Sequence, residues 1–556
     1  LADWKGQVEE YRVSPDGKWI AFVGMESLPQ EEKARKERRD WQVVDENPQG
    51  NTLWLIPAQA ANDGKGKARR LIGAQYHITA FDWSSDSTHI AVEHQPTPSE
   101  ESWVRSDVSE VEVESGLLRD VAATEAAEGD PRYSPDGQFL AFLRTPNPAR
   151  WAGAEEVVLL PRRGGALRIL PGIFDKGPSI PGMESLFNTA LIPRKAMGVF
   201  LGWSLDSSQL LFAGEKGTRR VLYAVSIDGP TRALYAPARG IVSGATLNAT
   251  RTHVGLVLET SEEPPEAFVM SLSGGRPVRV SAANLDLGRI PVGETRRIRW
   301  KSKDGLEIEG LLTLPVGYEP ARRYPMVLVI HGGPMGWFSE EFIGTARVQP
   351  LASFAAKGYA ILRPNIRGSG GYGREFRFAN LNDWGGKDYD DLMAGVDYAI
   401  SLGVADPERL AVMGWSYGGY MTSWVITHTK RFKAAIVGAG VTNLWSCAGT
   451  MDIQGFLPDY FSGEPWDNLE AYLRHSPMYY VKGVTTPTLI LHGEADRRVP
   501  VSQGYELYHA LKRQGASVQM VVYPRMGHGP SEPEAELDVM RRHLDWVERH
   551  LPKHSQ

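Results

Sequence analysis

Two fold classes share this chain: a β-propeller of five to seven blades over residues 1–290 and a doubly wound, mostly parallel α/β sheet over 291–556. Three observations predict them. Before about residue 290 a turn-and-strand unit recurs; from Arg299 apolar strands alternate with helical stretches; and a glycine-rich turn, Gly414-Trp415-Ser416-Tyr417-Gly418-Gly419, joins one of those strands to one of those helices. At 556 residues and 42% hydrophobic content the chain can bury more than one core.

The repeat is a Ser-x-Asp-Gly-type turn feeding a short strand. It reads Ser14-Pro15-Asp16-Gly17, Ser84-Ser85-Asp86-Ser87, Ser134-Pro135-Asp136-Gly137 and Ser204-Leu205-Asp206-Ser207, with a worn copy at Asn248-Ala249-Thr250-Arg251. Further strands come after the turns, as at Thr52-Leu53-Trp54-Leu55-Ile56 and Glu156-Val157-Val158-Leu159-Leu160. Strands recurring every few tens of residues with polar turns between them are propeller blades. The intervals between turns are 70, 50, 70 and 44 residues. One blade takes roughly 40–50, so each long interval holds an insertion or another blade. The stretch from Glu31 to Asp40 mixes acids and bases too densely for a core and reads as a solvated insertion or a partner-docking arm.

In the second half, Met326-Val327-Leu328-Val329-Ile330 and Tyr359-Ala360-Ile361-Leu362 are continuous apolar runs, as strands buried on both faces are. Residues 351–357 between them read as helix, as do 383–402. Strands come next at 410–413, 432–437, 487–496 and 518–524. A closing amphipathic helix places Leu537, Met540, Leu544, Val547 and Leu551 at spacings of three and four. Strands alternating with helices make a parallel sheet wound by crossovers.

Ser416 sits on a strand-to-helix turn, where small neighbours let the backbone bend sharply and the hydroxyl emerges at the carboxyl edge of the sheet. The helix start behind it offers N–H groups to an oxyanion. Asp496 and His528 each come after a strand as well, where open α/β sheets place their sites. The order Ser416…Asp496…His528 is that of α/β hydrolases. The chemistry needs these three types: a hydroxyl is a poor nucleophile until an oriented imidazole takes its proton. His492 competes for the base role by position, but it lies on the acid side without a later carboxylate, so a structural role is expected.

Composition narrows the classes. A net charge of −6 and pI near 6.2 give no basic face for nucleic acid or an anionic membrane, and no apolar run approaches the roughly 18–20 residues of a membrane span. Cys447 stands alone, which excludes an intrachain disulfide; it reads as a small buried hydrophobe. No zinc-type His or Cys spacing occurs, and Gly368-Ser369-Gly370-Gly371-Tyr372-Gly373 lacks the Lys-Ser/Thr of a phosphate loop, so no metal or cofactor is expected. The compartment stays open: cytoplasmic is the first expectation, periplasmic or secreted the alternative, because the chain begins at Leu1 rather than Met.

A Ser-Pro-Asp-Gly propeller joined to His331-Gly332-Gly333-Pro334, Asn365-Ile366-Arg367-Gly368-Ser369-Gly370-Gly371-Tyr372-Gly373, Gly414-Trp415-Ser416-Tyr417-Gly418-Gly419-Tyr420 and Asp496-Arg497-Arg498-Val499-Pro500 resembles the prolyl oligopeptidase family. Within it the likeness is to the acylaminoacyl-peptidase branch and its bacterial relatives, strongest over 300–556. The resemblance implies that Ser416 attacks, His528 acts as base and then acid, and Asp496 holds the imidazole. It implies an oxyanion hole from the backbone N–H groups of Tyr417 and Gly333. Arg498 would contact a substrate carbonyl or carboxylate, with an ordinary ion pair as the alternative. Val499 and Trp445 would line the substrate pocket, Phe456 and Tyr460 would line it or belong to the core, and Arg367 would be chiefly structural.

The resemblance also implies a serine peptidase acting near the N-terminus of short peptides, with the propeller covering the triad and excluding folded proteins. Dipeptidyl enzymes of that family hold a free ammonium with paired glutamates on a propeller segment. Here Glu184, in Pro181-Gly182-Met183-Glu184-Ser185-Leu186, is a lone candidate, which leans toward a blocked or unconstrained N-terminus. The alternatives are an endo- or carboxypeptidase, a carboxylesterase using the same triad on small acyl esters, and a non-catalytic scaffold, against which the intact triad speaks. The expected partner is a short peptide, N-acylated or free; a homo-oligomer is left open.

Overall fold

The computed structural model describes residues 4–551 apart from 5, 27–32, 34–35, 42, 45, 47–48, 60–66, 122–123, 146–149, 152, 154, 171–199 and 346–347. Among these residues the strands form five four-stranded antiparallel sheets and one eight-stranded mixed sheet. Both fold classes read from the sequence are present.

Each small sheet is a meander in chain order. The first runs Gly6–Val13, Trp19–Glu26, Thr52–Pro57 and Arg69–Arg70; the fifth runs Ile241–Leu247, His253–Glu259, Glu266–Ser271 and Val278–Arg279. The recurring turn closes the first hairpin of every sheet. In the first copy the Ser14 hydroxyl donates to Asp16 at 2.7 Å, while Asp16 accepts the Lys18 amide and Ser14 Oγ the Trp19 amide. In the worn copy the single Asn248 carbonyl accepts both equivalent amides, Thr252 and His253, each at 2.9 Å. This is why Asn can stand where Ser and Asp stood. The first 70-residue interval owes its length to an insertion between Trp19–Glu26 and Thr52–Pro57, not to another sheet. Its described charged residues, 33, 36–40 and 46, are exposed. The other long interval contains 171–199, with Glu184, outside the described residues.

The chain packs as two compact units. One holds the first three sheets with residues 202–211 and 224–232; the other holds 212–223 and everything from 233. In the first unit, Ala21, Val23, Leu53, Leu55, Ile78, Phe81, Ile90 and Val92 fill the space between the first and second sheets.

The second unit contains the large sheet, whose strands we label β1 (Thr295–Lys301), β2 (Glu307–Thr313), β3 (Tyr324–Ile330), β4 (Ala360–Asn365), β5 (Ala405–Trp415), β6 (Phe432–Gly438), β7 (Thr488–Gly493) and β8 (Val518–Tyr523). Their order is β1-β2-β4-β3-β5-β6-β7-β8, with β2 antiparallel to both its neighbours, β1 and β4, and every other pairing parallel. Crossovers run through α1 (Leu351–Ala356), α2 (Lys387–Ser401), α3 (Tyr417–His428) and α4 (Ser502–Arg513), and α5 (Pro533–His550) closes the chain. The buried face of α5 agrees with the expected one in part. Val547 and Leu551 are buried and Leu544 packs against the core, but Val539, His543 and Trp546 are buried with them, while Leu537 is 36% exposed. The buried His543 satisfies its Nδ1 on the Val539 carbonyl at 2.8 Å, so a polar residue sits on the core face that hydropathy alone would not assign.

Candidate active site

Ser416 links the end of β5 to the start of α3 with φ 62° and ψ −123°, in the region L-residues rarely occupy. Such a residue costs on the order of 1–3 kcal/mol and persists only when its surroundings hold it. They do so through backbone: Ser416 N–H donates to Gly438 O and Tyr420 N–H to Ser416 O, each at 2.9 Å. A Cβ on Gly414 would come within 2.3 Å of the Gly418 carbonyl oxygen, and one on Gly418 within 2.1 Å of that of Ile330. Glycine there lets β5, α3 and β3 meet main chain to main chain. The Ser416 side chain does not cap α3.

His528 Nε2 stands 2.9 Å from Ser416 Oγ, and His528 Nδ1 stands 2.8 Å from Asp496 Oδ2. An ionised carboxylate only accepts, so Nδ1 carries the proton and Nε2 presents its lone pair to the serine. Two loops place this pair. The Glu494 amide donates to Tyr523 O and the Ala495 amide to Met526 O, both at 2.9 Å, and the Trp415 indole donates to the His528 carbonyl at 2.6 Å. The tryptophan of the turn therefore fixes the histidine loop.

Asp496 is 5% exposed. Burial pushes its carboxyl up, but the facing His528 and His492 with their hydrogen bonds more than offset that and hold it well below the usual carboxylate range. Its other oxygen accepts the Val499 amide at 2.9 Å. His492 donates through Nε2 to the Val499 carbonyl at 2.7 Å and lies 3.5 Å from Asp496. Its Nε2 thus faces Oδ2, the same Asp496 oxygen that bonds His528.

Tyr417 opens α3, a position whose N–H has no acceptor within the helix. Gly333 has φ 121°, and a Cβ there would meet the Met335 nitrogen at 2.3 Å. Its loop is pinned by His331, with Nδ1 2.8 Å from Gly332 O and Nε2 2.8 Å from Ser369 Oγ. Burial lowers the His331 imidazole to about 4, partly offset by the Gly332 carbonyl, so it stays neutral. The run from Asn365 to Gly373 supports this loop: Asn365 exchanges two hydrogen bonds with the Phe338 backbone, at 2.6 and 3.0 Å. Farther along, the Glu340 carboxylate accepts the Thr218 hydroxyl and the Gly240 amide, each at 2.8 Å. Arg367 in that run is held by Asp391 at 2.7 Å and Asp304 at 2.8 Å, which occupies its guanidinium structurally.

The pocket candidates divide. The Arg498 guanidinium bonds Asp452 at 2.7 Å. Val499 is buried and gives its amide to Asp496. Trp445, on the short helix Leu444–Ala448, is 42% exposed. Phe456 and Tyr460 are buried against Trp384, with ring centroids 6.1 and 5.0 Å away. Trp384 also touches Tyr417 and Tyr420 and is 1% exposed. Sequence reasoning passed over Trp384 and the fully buried Asp388 just after it; the only local signal was Gly385-Gly386 ahead of α2. Among the described residues no group of three His, Cys, Asp or Glu is placed to hold a metal, and no helix is long and apolar enough to cross a membrane.

Residues 346–554 match the model of the prolyl oligopeptidase family. The chain is similar to an uncharacterized peptidase, YuxL, of Bacillus subtilis: 33% identical over 63% of this chain and 53% of the relative. It is 25% identical to dipeptidyl-peptidase 5 of Schizosaccharomyces pombe over 84% of this chain and 65% of the relative. It is 29% identical to the acylamino-acid-releasing enzyme of Mus musculus over 80% and 62%. The chain therefore spans between 53% and 65% of the length of these relatives. A puromycin-hydrolysing peptidase of Mycobacterium tuberculosis superposes with a TM-score of 0.70 at 21% identity, over 100% of this chain and 81% of that one, which shows a common fold.

Proposed function

Since the chain belongs to the prolyl oligopeptidase family, we propose that it is a serine peptidase releasing residues from the N-terminus of short peptides. The observation that carries this reading is the hydrogen-bonded series Ser416–His528–Asp496, at 2.9 and 2.8 Å, on a serine whose backbone is held in a rare conformation. We place the chemistry in residues 291–556, with 1–290 as the propeller domain.

Ser416 Oγ attacks the scissile carbonyl carbon while His528 Nε2 takes its proton. The oxyanion is received by the N–H groups of Tyr417 and Gly333; a donor of this kind contributes about a hundred- to thousandfold in rate. His528, now charged and steadied by Asp496, returns the proton to the departing amine. Water repeats the sequence on the acyl-enzyme. Arg498, steadied by Asp452 at 2.7 Å, presents a planar fork suited to a substrate carbonyl or carboxylate. Val499 and Trp445 are assigned to the pocket.

Of the relatives above, one is named a dipeptidyl-peptidase and one an acylamino-acid-releasing enzyme. A blocked N-terminus is our choice. Mass-spectrometric mapping of a mixture of the same peptides, acetylated and free, tests it. Release of N-terminal acetyl-amino acids supports the proposal. Removal of dipeptides from the free forms alone overturns the choice of substrate, and hydrolysis of nitrophenyl esters with every peptide intact reverses it to a carboxylesterase.

A further inference from the structure

Beneath the oxyanion side of the site lies a carboxyl group that the mechanism above does not use. Asp388, at the start of α2, is fully buried, and its Oδ1 accepts the Tyr389 amide at 2.8 Å. Its Oδ2 accepts the hydroxyl of Tyr417. Two guanidinium groups reach this helix and go elsewhere, Arg367 to Asp391 and Arg431 to Asp397. A buried carboxyl whose side-chain partner is a neutral phenol is a costly way to fill space, since an apolar pair of similar volume packs there without desolvating a polar group. The arrangement delivers direction instead.

That direction matters because of what Tyr417 is. The peptide joining Ser416 to Tyr417 carries the N–H assigned to the oxyanion, and on its other side Ser416 sits at φ 62°, ψ −123°. Such a conformation persists only where the surrounding structure over-determines it. Ser416 is fixed by its backbone bonds. Tyr417 is fixed through its ring, held edge-on by Trp384 at 5.0 Å and beside Tyr420 at 5.6 Å, and through its hydroxyl at Asp388. The aromatic contacts set the plane of the ring. The hydrogen bond stops it sliding along its own axis.

We propose that Asp388 is a positioning residue: by holding the Tyr417 hydroxyl it fixes the first turn of α3, and with it the aim of the N–H that receives the oxyanion. This rests on the assignment of Ser416 as nucleophile. Asp388 touches neither substrate nor nucleophile; it acts through Tyr417.

The test uses the full chain and four variants: Tyr417→Phe, Asp388→Asn, Asp388→Leu and the double Tyr417→Phe/Asp388→Leu. Thermal melting checks folding. Kinetics on an acetyl-alanyl anilide give kcat and KM, and a peptidyl trifluoromethyl ketone, which forms a tetrahedral adduct bearing the oxyanion, gives a transition-state-analogue affinity. Tyr417→Phe is expected to lower kcat by about 10- to 50-fold, part of the full value of one oxyanion donor, with KM changed less than about threefold. Ketone affinity should fall by the same factor. Asp388→Asn still accepts the phenol and should keep at least about half of the activity. The double variant removes both polar groups together and should lose no more than either single one, because the two act as a unit.

Unchanged kcat and ketone affinity in the double variant would overturn the proposal, and so would a rise in KM alone. Should Tyr417→Phe fail to fold for want of a partner for Asp388, the double variant gives the decision. Failure of the underlying reading looks different: Ser416→Ala would then keep its activity, whatever the Asp388 variants do.

Discussion

In the proposed mechanism Asp496 has two tasks, and they can be separated by one atom. It balances the charge that His528 acquires, and it fixes which ring nitrogen carries the proton, through a 2.8 Å bond to Nδ1. Asp496→Asn keeps the shape but offers an N–H where an acceptor is needed, favouring the wrong tautomer. We predict a fall in kcat of about a thousandfold or more with little change in melting temperature; a loss below tenfold would show that His528 is oriented by something else. Asp388 gives a second residue-scale prediction. Burial, with Asp391 and Asp383 adding to it, pushes its carboxyl from an ordinary 3.8 up to about 8, while the Tyr417 hydroxyl and Tyr389 amide hold it back. The fold binds this proton more tightly than the unfolded chain does. Its contribution to stability is therefore complete below about pH 4 and is lost as pH rises through the folded value. The melting temperature of the wild type relative to Asp388→Asn should thus decline between pH 5 and 8. A constant difference across that range would contradict it. Ser416, Asp496 and His528 were legible because each comes after a strand in a known order, whereas Asp388 was not: its partner Tyr417 is 29 residues away, and nothing local marks a carboxyl as buried.

At the scale of elements, legibility depended on how local the physics is. The turns of the small sheets announce themselves because four are closed by their own Ser and Asp, and the fifth by Asn248, within five residues. The central strands β3 and β5 announce themselves because both faces are buried and the apolar run is unbroken. The face of α5 does so only in part, since Trp546 and His543 are placed by what they pack against. Alternation between the turns was hidden too. Gly17 and Gly137 take positive φ where the even-numbered repeats place Ser87 and Ser207, which take it as well. Those serines accept the amides of Asp16 and Asp136, each at 3.1 Å and each across 71 residues. Trp83 and Trp203 make the matching bonds to Arg12 O and Arg132 O, at 3.3 and 3.2 Å. The first and second sheets, and the third and fourth, are therefore joined as pairs by the same device. Ser87→Ala leaves the backbone strain and removes the acceptor, so it should cost about 1 kcal/mol, read as a lower denaturation midpoint at unchanged slope. A midpoint equal to that of the wild type would show that the hydroxyl is dispensable.

For the molecule as a whole, the sequence carried its class and its chemistry further than its substrate. Fold class comes from periodicity repeated many times over, and the triad from three strand ends in order. Pocket selectivity is made by side chains from distant segments. Phe456 and Tyr460 read equally well as lining or as core until Trp384, more than 70 residues earlier in the chain, is seen between them and Tyr417. The proposed mechanism stands or falls on acylation of Ser416. Treating the intact protein with a fluorophosphonate and mapping the adduct by mass spectrometry probes that step. A single modified residue is expected, Ser416, with peptide hydrolysis lost in proportion to modification; an adduct elsewhere, or hydrolysis surviving complete modification of Ser416, would contradict it.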